Sequence, residues 1–284
     1  MIEIASCEMI PRLKEIWKRC FHDEDSYIDF YFEERFPQVE TLVHTIDGNP
    51  VAMATLIPGE ISYQQTTINI RYVYAVATDP YWQGRGIASS LIRYINSRVG
   101  KEYQGTILVP ASKELFEYYA NLGYQIACNK RIVRFATEDQ FMKKCSEEDA
   151  DVSFGELLPT DLYQMREQRF SNLGYVKWDI EGLNYVMKEW QFNKGKAVKV
   201  ETLNEKGSLF YYYDNNHKVL YVKETTLSLK ALKQALLKLA ETIKIDQIEL
   251  TDTMESEMDG EISPFMMIYG NEIHSLNYAN FVKD

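Results

Sequence analysis

The chain has 284 residues, enough for one large domain or two ordinary ones, and its 45% hydrophobic and 13% aromatic content is that of a packed globular protein. Its net charge is −11, from 31 Lys and Arg against 42 Asp and Glu, with the acidity mainly in the second half. No stripe of clustered Lys and Arg is present to meet a phosphate backbone, which argues against nucleic acid as a primary ligand.

The start, Met1-Ile2-Glu3-Ile4-Ala5, carries an acid where a signal peptide needs basic residues, and no apolar run follows. Leu13, Ile16, Trp17 and Cys20 then recur at helix spacing behind Pro11, a good early-helix residue. A second amphipathic stretch, Ile28 to Phe36, stops before Pro37. The period changes to two at Thr41–Thr45 and Val51–Ile57, and Asp47-Gly48-Asn49 between them predicts a hairpin. A strand is expected through Ile68 to Val76, then Asp79-Pro80, a Gly-bearing loop, and a helix over Ile87 to Val99. Thr106–Val109 reads as a short buried strand, Lys113–Leu122 as a helix and Tyr124–Phe135 as strand.

Lys143 to Asp151 is charged and poor in apolar residues, the composition of a linker, which divides the chain into residues 1–142 and 152–284. Beyond it, Leu157–Phe170 and Ile180–Trp190 are expected helices, and Ala197–Leu203, Leu209–Tyr213 and Val219–Lys223 strands. A periodic helix over Leu229 to Ile243 and a strand over Gln247 to Thr251 close the series. Both halves are therefore α/β or α+β. No stretch approaches the ~20 apolar residues of a membrane span, so no membrane role is expected. Cys7, Cys20, Cys128 and Cys145 show neither CxxC nor Cys/His spacing, so they read as reduced thiols in a cytoplasmic protein without a metal.

The informative text is Val76-Ala77-Thr78-Asp79-Pro80-Tyr81-Trp82-Gln83-Gly84-Arg85-Gly86-Ile87-Ala88. A strand feeds a tight turn that opens directly into a helix. Gly84 and Gly86 remove Cβ atoms where a ligand approaches the backbone and permit positive φ. The helix's first amides lack intrahelical partners and face outward, an anion site reinforced by the helix dipole. A pyrophosphate fits that arrangement, although glycines at strand–turn–helix junctions also serve capping alone.

Gln-x-x-Gly-x-Ala after a strand ending Val-x-Thr-Asp-Pro resembles the acetyl-CoA motif of the GNAT acetyltransferases, and the flanking elements resemble that family in order over residues 1 to 137. The resemblance implies a central mixed, mostly antiparallel sheet flanked by helices, with acetyl-CoA or another acyl-CoA as co-substrate. It implies that Val76, Ala77 and Thr78 offer backbone groups to the pantetheine and thioester, and that Gln83, Gly84, Arg85, Gly86, Ile87 and Ala88, continued by Ser89, wrap the pyrophosphate. The family's second helix ends Tyr-x-x-x-Gly-Phe/Tyr, matched here by Tyr119 to Tyr124, which implies that Tyr119 is the general acid toward the leaving thiolate. Tyr118 reads as a core aromatic, and Arg85 either meets phosphate or is a solvated loop residue.

The resemblance is silent on the acceptor. A primary amine on a small molecule or peptide is expected, and the oligomeric state stays open. His22, Asp23, Glu24 and Asp25 lie between the first two helices, where the family lines its acceptor site; they supply a base, attract a cationic amine, or are only a solvated loop. In the second half, Lys218–Thr226, the Leu229–Ile243 helix and the Gln247–Thr251 strand repeat the order of the first half without glycine and with Glu224 at the turn. That half reads as a degenerate GNAT-like domain without a cofactor loop. The tandem arrangement resembles the enhanced-intracellular-survival family, whose terminal carboxylate reaches the active site; Asp284 is the corresponding residue here. Two alternatives remain open: a non-catalytic acyl-CoA-binding or scaffolding module, and an aminoacyl transferase of the tandem-GNAT type.

Overall fold

The computed structural model describes residues 1–63, 66–137, 151–254, 256, 258–270 and 276–279. Most of the expected linker, Cys145 and Asp284 lie outside them.

The chain opens with strand β1 (Ile2–Ile4) and helix α1 (Ile10–Phe21), with Pro11 in its first turn and Leu13, Ile16 and Trp17 on its buried face. The helix ends at His22, which takes the left-handed conformation, and α2 (Asp25–Glu34) follows. Strands β2 (Glu40–Ile46) and β3 (Asn49–Tyr63) form the expected hairpin, with Asp47 and Gly48 both at positive φ as a type I′ turn requires. Strand β4 (Thr66–Thr78) returns along β3, helix α3 covers Ile87–Asn96, and β5 (Gly105–Leu108), α4 (Lys113–Ala120) and β6 (Gln125–Ala136) complete the first half.

The second half comprises β7 (Ser153–Glu156), α5 (Pro159–Phe170), β8 (Tyr175–Lys177) and α6 (Ile180–Phe192). Strands β9 (Lys196–Glu201), β10 (Lys206–Asp214) and β11 (Val219–Thr225) follow, then α7 (Leu229–Ala240), β12 (Gln247–Asp252) and β13 (Glu261–Tyr269). Asp179 caps α6 by accepting the Gly182 amide at 2.7 Å, and Ser228 caps α7 through the Ala231 amide. The expected helices and strands from Leu13 to Thr251 are present; β1, β7, β8 and β13 are additional.

All thirteen strands of the described residues join in one sheet: twelve follow the order β1-β2-β3-β4-β5-β13-β6-β12-β11-β10-β9-β7, and β8 branches from it by pairing with β3. Neighbours run antiparallel except β4 with β5 and β11 with β12, which are parallel and joined through α3 and α7. The two halves exchange strands. β13, from the end of the chain, pairs with β5 and β6, whereas β6 of the first half pairs with β12 of the second. One apolar core packs α3 and α4 against the first part of the sheet, and another packs α7 against the second. A third lies under α1 and α2, and Tyr185 of α6 belongs to it.

Glu224 departs from the expectation drawn for it. It does not face a turn but is fully buried, with Arg166 at 3.2 Å and the Tyr278 hydroxyl donating to it at 3.0 Å. Arg166 also donates to the Val176 carbonyl at 3.1 Å, so the pair ties α5, β8 and β11 to the last described segment.

Candidate active site

The site follows from two irregularities in β4. The strand pairs in parallel with β5 only over Ile70, Arg71 and Tyr72, and past that point the two strands part. Its pairing with β3 slips between Thr55–Tyr74 and Met53–Ala77, and Ala75 in the slip has φ +50°. This is a β-bulge, which bends the strand and frees backbone groups from the ladder. A cleft of about 300 Å³ opens where the strands diverge. Tyr74, Ala75 and Val76 form one wall, Leu108 to Ala111 the other, and Leu115 and Tyr119 of α4 close one end. Trp17, Phe21 and Asp23, from α1 and the turn after it, complete the lining.

Beyond Val76, Ala77 and Thr78 are buried, and the Thr78 hydroxyl oxygen Oγ1 has no hydrogen-bond partner among the described residues. The Thr78 carbonyl accepts from Gln83 Nε2 at 3.0 Å and from Cys20 Sγ at 3.2 Å, so the Gln83 side chain folds the loop back onto the strand end. Gly84 and Gly86 have φ of +73° and +75°, and a Cβ built on either meets nothing within 4 Å. These glycines answer a backbone requirement, and the space outside them is open. Gly86 is the N-cap of α3, with no side chain to cap the first-turn amides of Ile87, Ala88 and Ser89. Amides so placed at a helix N-terminus are suited to receive an anion. Arg85 is exposed, with its guanidinium 4.6 Å from the Trp82 ring and Nη2 donating to the Tyr81 carbonyl at 3.4 Å. Trp82 holds the flexible side chain beside the loop.

Tyr119 is 7% exposed and lines the cleft. Burial, and secondarily Tyr118, push its phenol above the usual value, so it stays protonated at neutral pH. Its hydroxyl makes no hydrogen bond among the described residues. Tyr118 packs half-buried against the α3 and α4 core as expected, and its hydroxyl, 2.9 Å from Ser89 Oγ, also ties α4 to the first turn of α3. Of the acidic run after α1, only Asp23 lines the cleft, where its Oδ2 accepts from the Trp17 indole at 2.8 Å. Asp25 pairs with Lys18 at 3.0 Å, and His22 and Glu24 are exposed.

Residues to which the sequence assigned no role complete the surroundings. Asp79, 2% exposed, takes Arg12 at 2.6 Å, Arg19 at 2.9 Å and the Tyr81 amide at 3.0 Å. Helix α1 is thereby clamped to the junction of strand and loop. The Asp-Pro after the strand was the available signal for it. On the face of β4 opposite α3, Tyr27 of α2 donates to Glu189 of α6, and the Tyr27 and Tyr74 hydroxyls are 3.4 Å apart. No local signal marks Glu189, because its partner is 162 residues away.

Residues 2–127 match the sequence model of the acetyltransferase (GNAT) domain. No curated protein matches the chain by sequence. Among solved structures, a conserved Enterococcus faecalis V583 protein of unknown function, described as a probable N-acyltransferase, is similar with a TM-score of 0.80 at 14% identity, over 96% of this chain and 72% of that one. Eis1 from Mycobacterium abscessus is similar with a TM-score of 0.70 at 14% identity, over 94% and 73%. A GCN5-related N-acetyltransferase from Anabaena variabilis gives 0.75 at 14% identity, over 94% and 72%. Residues 2–127 thus carry a GNAT acetyltransferase domain by sequence, and over nearly its whole length the chain shares the fold of these structures.

Proposed function

We propose that the chain is an acyl-CoA-dependent N-acetyltransferase that moves the acyl group, acetyl in the first instance, to a primary amine of a small molecule or peptide. The observation that carries this reading is the parting of β4 from β5 at one cleft, with an uncapped glycine loop beyond one wall and, in the lining, a buried phenol without a hydrogen-bond partner among the described residues. In this reading the amides of Gly84 to Ser89 hold the diphosphate, and Gln83 keeps their loop against the strand end. Backbone groups freed at the Ala75–Val76 bulge line the thioester, and the strand amide after Val76 stabilises charge developing on the carbonyl oxygen.

Tyr119 gives its proton to the sulfur as the C–S bond breaks and the C–N bond forms, and its neutral state at physiological pH suits that task. The acceptor enters beside Trp17, Phe21 and Asp23, which line the cleft. Direct attack needs only that the two partners be held in line, and positioning supplies much of the rate. The reading is tested by following CoA release from acetyl-CoA with a panel of primary amines, for wild-type protein and Tyr119→Phe. Amine-dependent release that is lost in the variant supports the transferase. Tight acetyl-CoA binding without release by any amine would leave only the non-catalytic module.

A further inference from the structure

We infer that Glu189, a carboxylate supplied by the second half of the chain, draws the proton from the incoming ammonium through Tyr74 and Tyr27. The inference rests on the acyl-transfer reading above. Helix α6 lies over α2: Phe30 stacks on Phe192 at 4.7 Å and on Tyr185 at 5.8 Å, and Lys188 meets Glu34 at 2.6 Å. That packing brings Glu189 to the tyrosines of α2 and β4. Its Oε1 accepts from the Tyr27 hydroxyl and, at 3.3 Å, from the Tyr185 hydroxyl.

The direction of the chain follows from the donors available. A hydroxyl has one proton, and Tyr27 gives its own to Glu189, so across the 3.4 Å contact Tyr74 is the donor and Tyr27 the acceptor. The lone pairs of Tyr74 are then left to accept a proton from another group. Tyr74 lines the acyl cleft and also a small cavity of about 30 Å³ that Glu189 lines from the other side. Tyr72 lines both as well, but it is the Tyr74 hydroxyl that meets Tyr27, so Tyr74 links the cleft to the carboxylate. Arg35, buried near the same cavity with its guanidinium 4.8 Å from the Tyr185 ring, is the cation of the cluster; Tyr31 of α2 and Tyr72 of β4 also line the cavity, and Asp179, the N-cap of α6, acts on Arg35.

The step is a proton transfer alone. The ammonium gives one proton to Tyr74, Tyr74 gives its own to Tyr27, and Tyr27 gives its own to Glu189, leaving a neutral amine and a neutral carboxyl group. No other bond changes. Glu189 is a positioning residue, since it touches neither the acyl group nor the acceptor. An alkylamine, protonated at neutral pH as lysine is, needs this step. Hydroxylamine, largely unprotonated at neutral pH, does not.

The test is steady-state CoA release by full-length wild type, Glu189→Gln and Tyr27→Phe, using acetyl-CoA with the best primary alkylamine of the panel and with hydroxylamine. With the alkylamine at neutral pH, both variants are expected to lose about 10²-fold in kcat/KM, the lower end of what a positioned acid or base contributes. The loss shrinks as pH rises toward the amine's own pKa, and hydroxylamine is turned over within about threefold of wild type. An equal loss with both acceptors at every pH makes the cluster merely structural and overturns the inference, as does wild-type turnover of the alkylamine in both variants. Wild-type protein that releases CoA with neither acceptor contradicts the acyl-transfer reading itself, and the inference with it.

Discussion

Arg12, in the first turn of α1, reaches Asp79 at the far end of β4 and holds its carboxylate at 2.6 Å, 67 positions along the chain. Arg19 joins from the last turn of the same helix at 2.9 Å. The junction from which the glycine loop departs is thus fixed by α1 and not by the sheet alone. Burial would raise the Asp79 carboxyl, but the Tyr81 amide and the two arginines outweigh it and hold the group below its usual value. Asp79→Asn keeps an acceptor and removes the charge, at a cost of about 1.5–3 kcal/mol for charge-assisted bonds. Melting temperature and acetyl-CoA affinity should both fall at neutral pH. Because a depressed carboxyl contributes above its unfolded pKa and loses that contribution as pH falls, the two melting curves should converge in acid. Equal separation at every pH would contradict this role.

Tyr119→Phe retains the ring, and the hydroxyl it removes has no partner among the described residues. Turnover should fall by roughly 10²–10⁴, with melting temperature and acetyl-CoA affinity nearly unchanged. Tyr118→Phe breaks the contact with Ser89 and should weaken acetyl-CoA binding by a few fold, with turnover at saturation kept. Kinetics on both variants would expose a reversed pattern.

Burial raises the Glu224 carboxyl to about 7, against the lesser opposing pull of Arg166 and Tyr278. A raised carboxyl stabilises the fold fully below its unfolded pKa and loses that contribution as pH rises through the folded value. Wild-type melting temperature should therefore decline from about pH 5 to about pH 8 more steeply than that of Glu224→Gln. Parallel profiles would show that Glu224 does not titrate in this window.

Local pattern carried much of the fold. Helix spacing at Leu13, Ile16 and Trp17 and the Asp47-Gly48 turn are short-range devices, and they sit where periodicity places them. The glycine loop was legible for the same reason: strand, turn and helix are contiguous in sequence. What escaped depends on contacts between distant segments. The sequence near Glu261–Tyr269 has no means of announcing that this strand enters between β5 and β6. Glu224 read as a turn residue because its partner Arg166 comes from helix α5, 58 positions away. Glu189 looks like any helix surface acid until α6 is laid over α2.

The exchange of β6 and β13 has a direct consequence. Residues 1–137 alone would leave β5 and β6 without the strand that lies between them, exposing the backbone groups of both and part of the core, including Ile107 and Cys128. That fragment should aggregate or fail to give a cooperative melt, whereas the same fragment mixed with residues 151–284 should recover some native circular dichroism. A soluble, cooperatively melting fragment would show that the first half does not need β13.

The central claim, that acyl-CoA is held at the loop of the first half, is tested most directly by calorimetry of the full chain with acetyl-CoA. One site per chain is expected. It should be lost in Gly86→Glu, which puts bulk and negative charge into the open space beside α3 and strains a φ of +75°, with the melting temperature checked in parallel to show that the variant is folded. Two equivalent sites, or unchanged affinity in folded Gly86→Glu protein, would contradict the assignment.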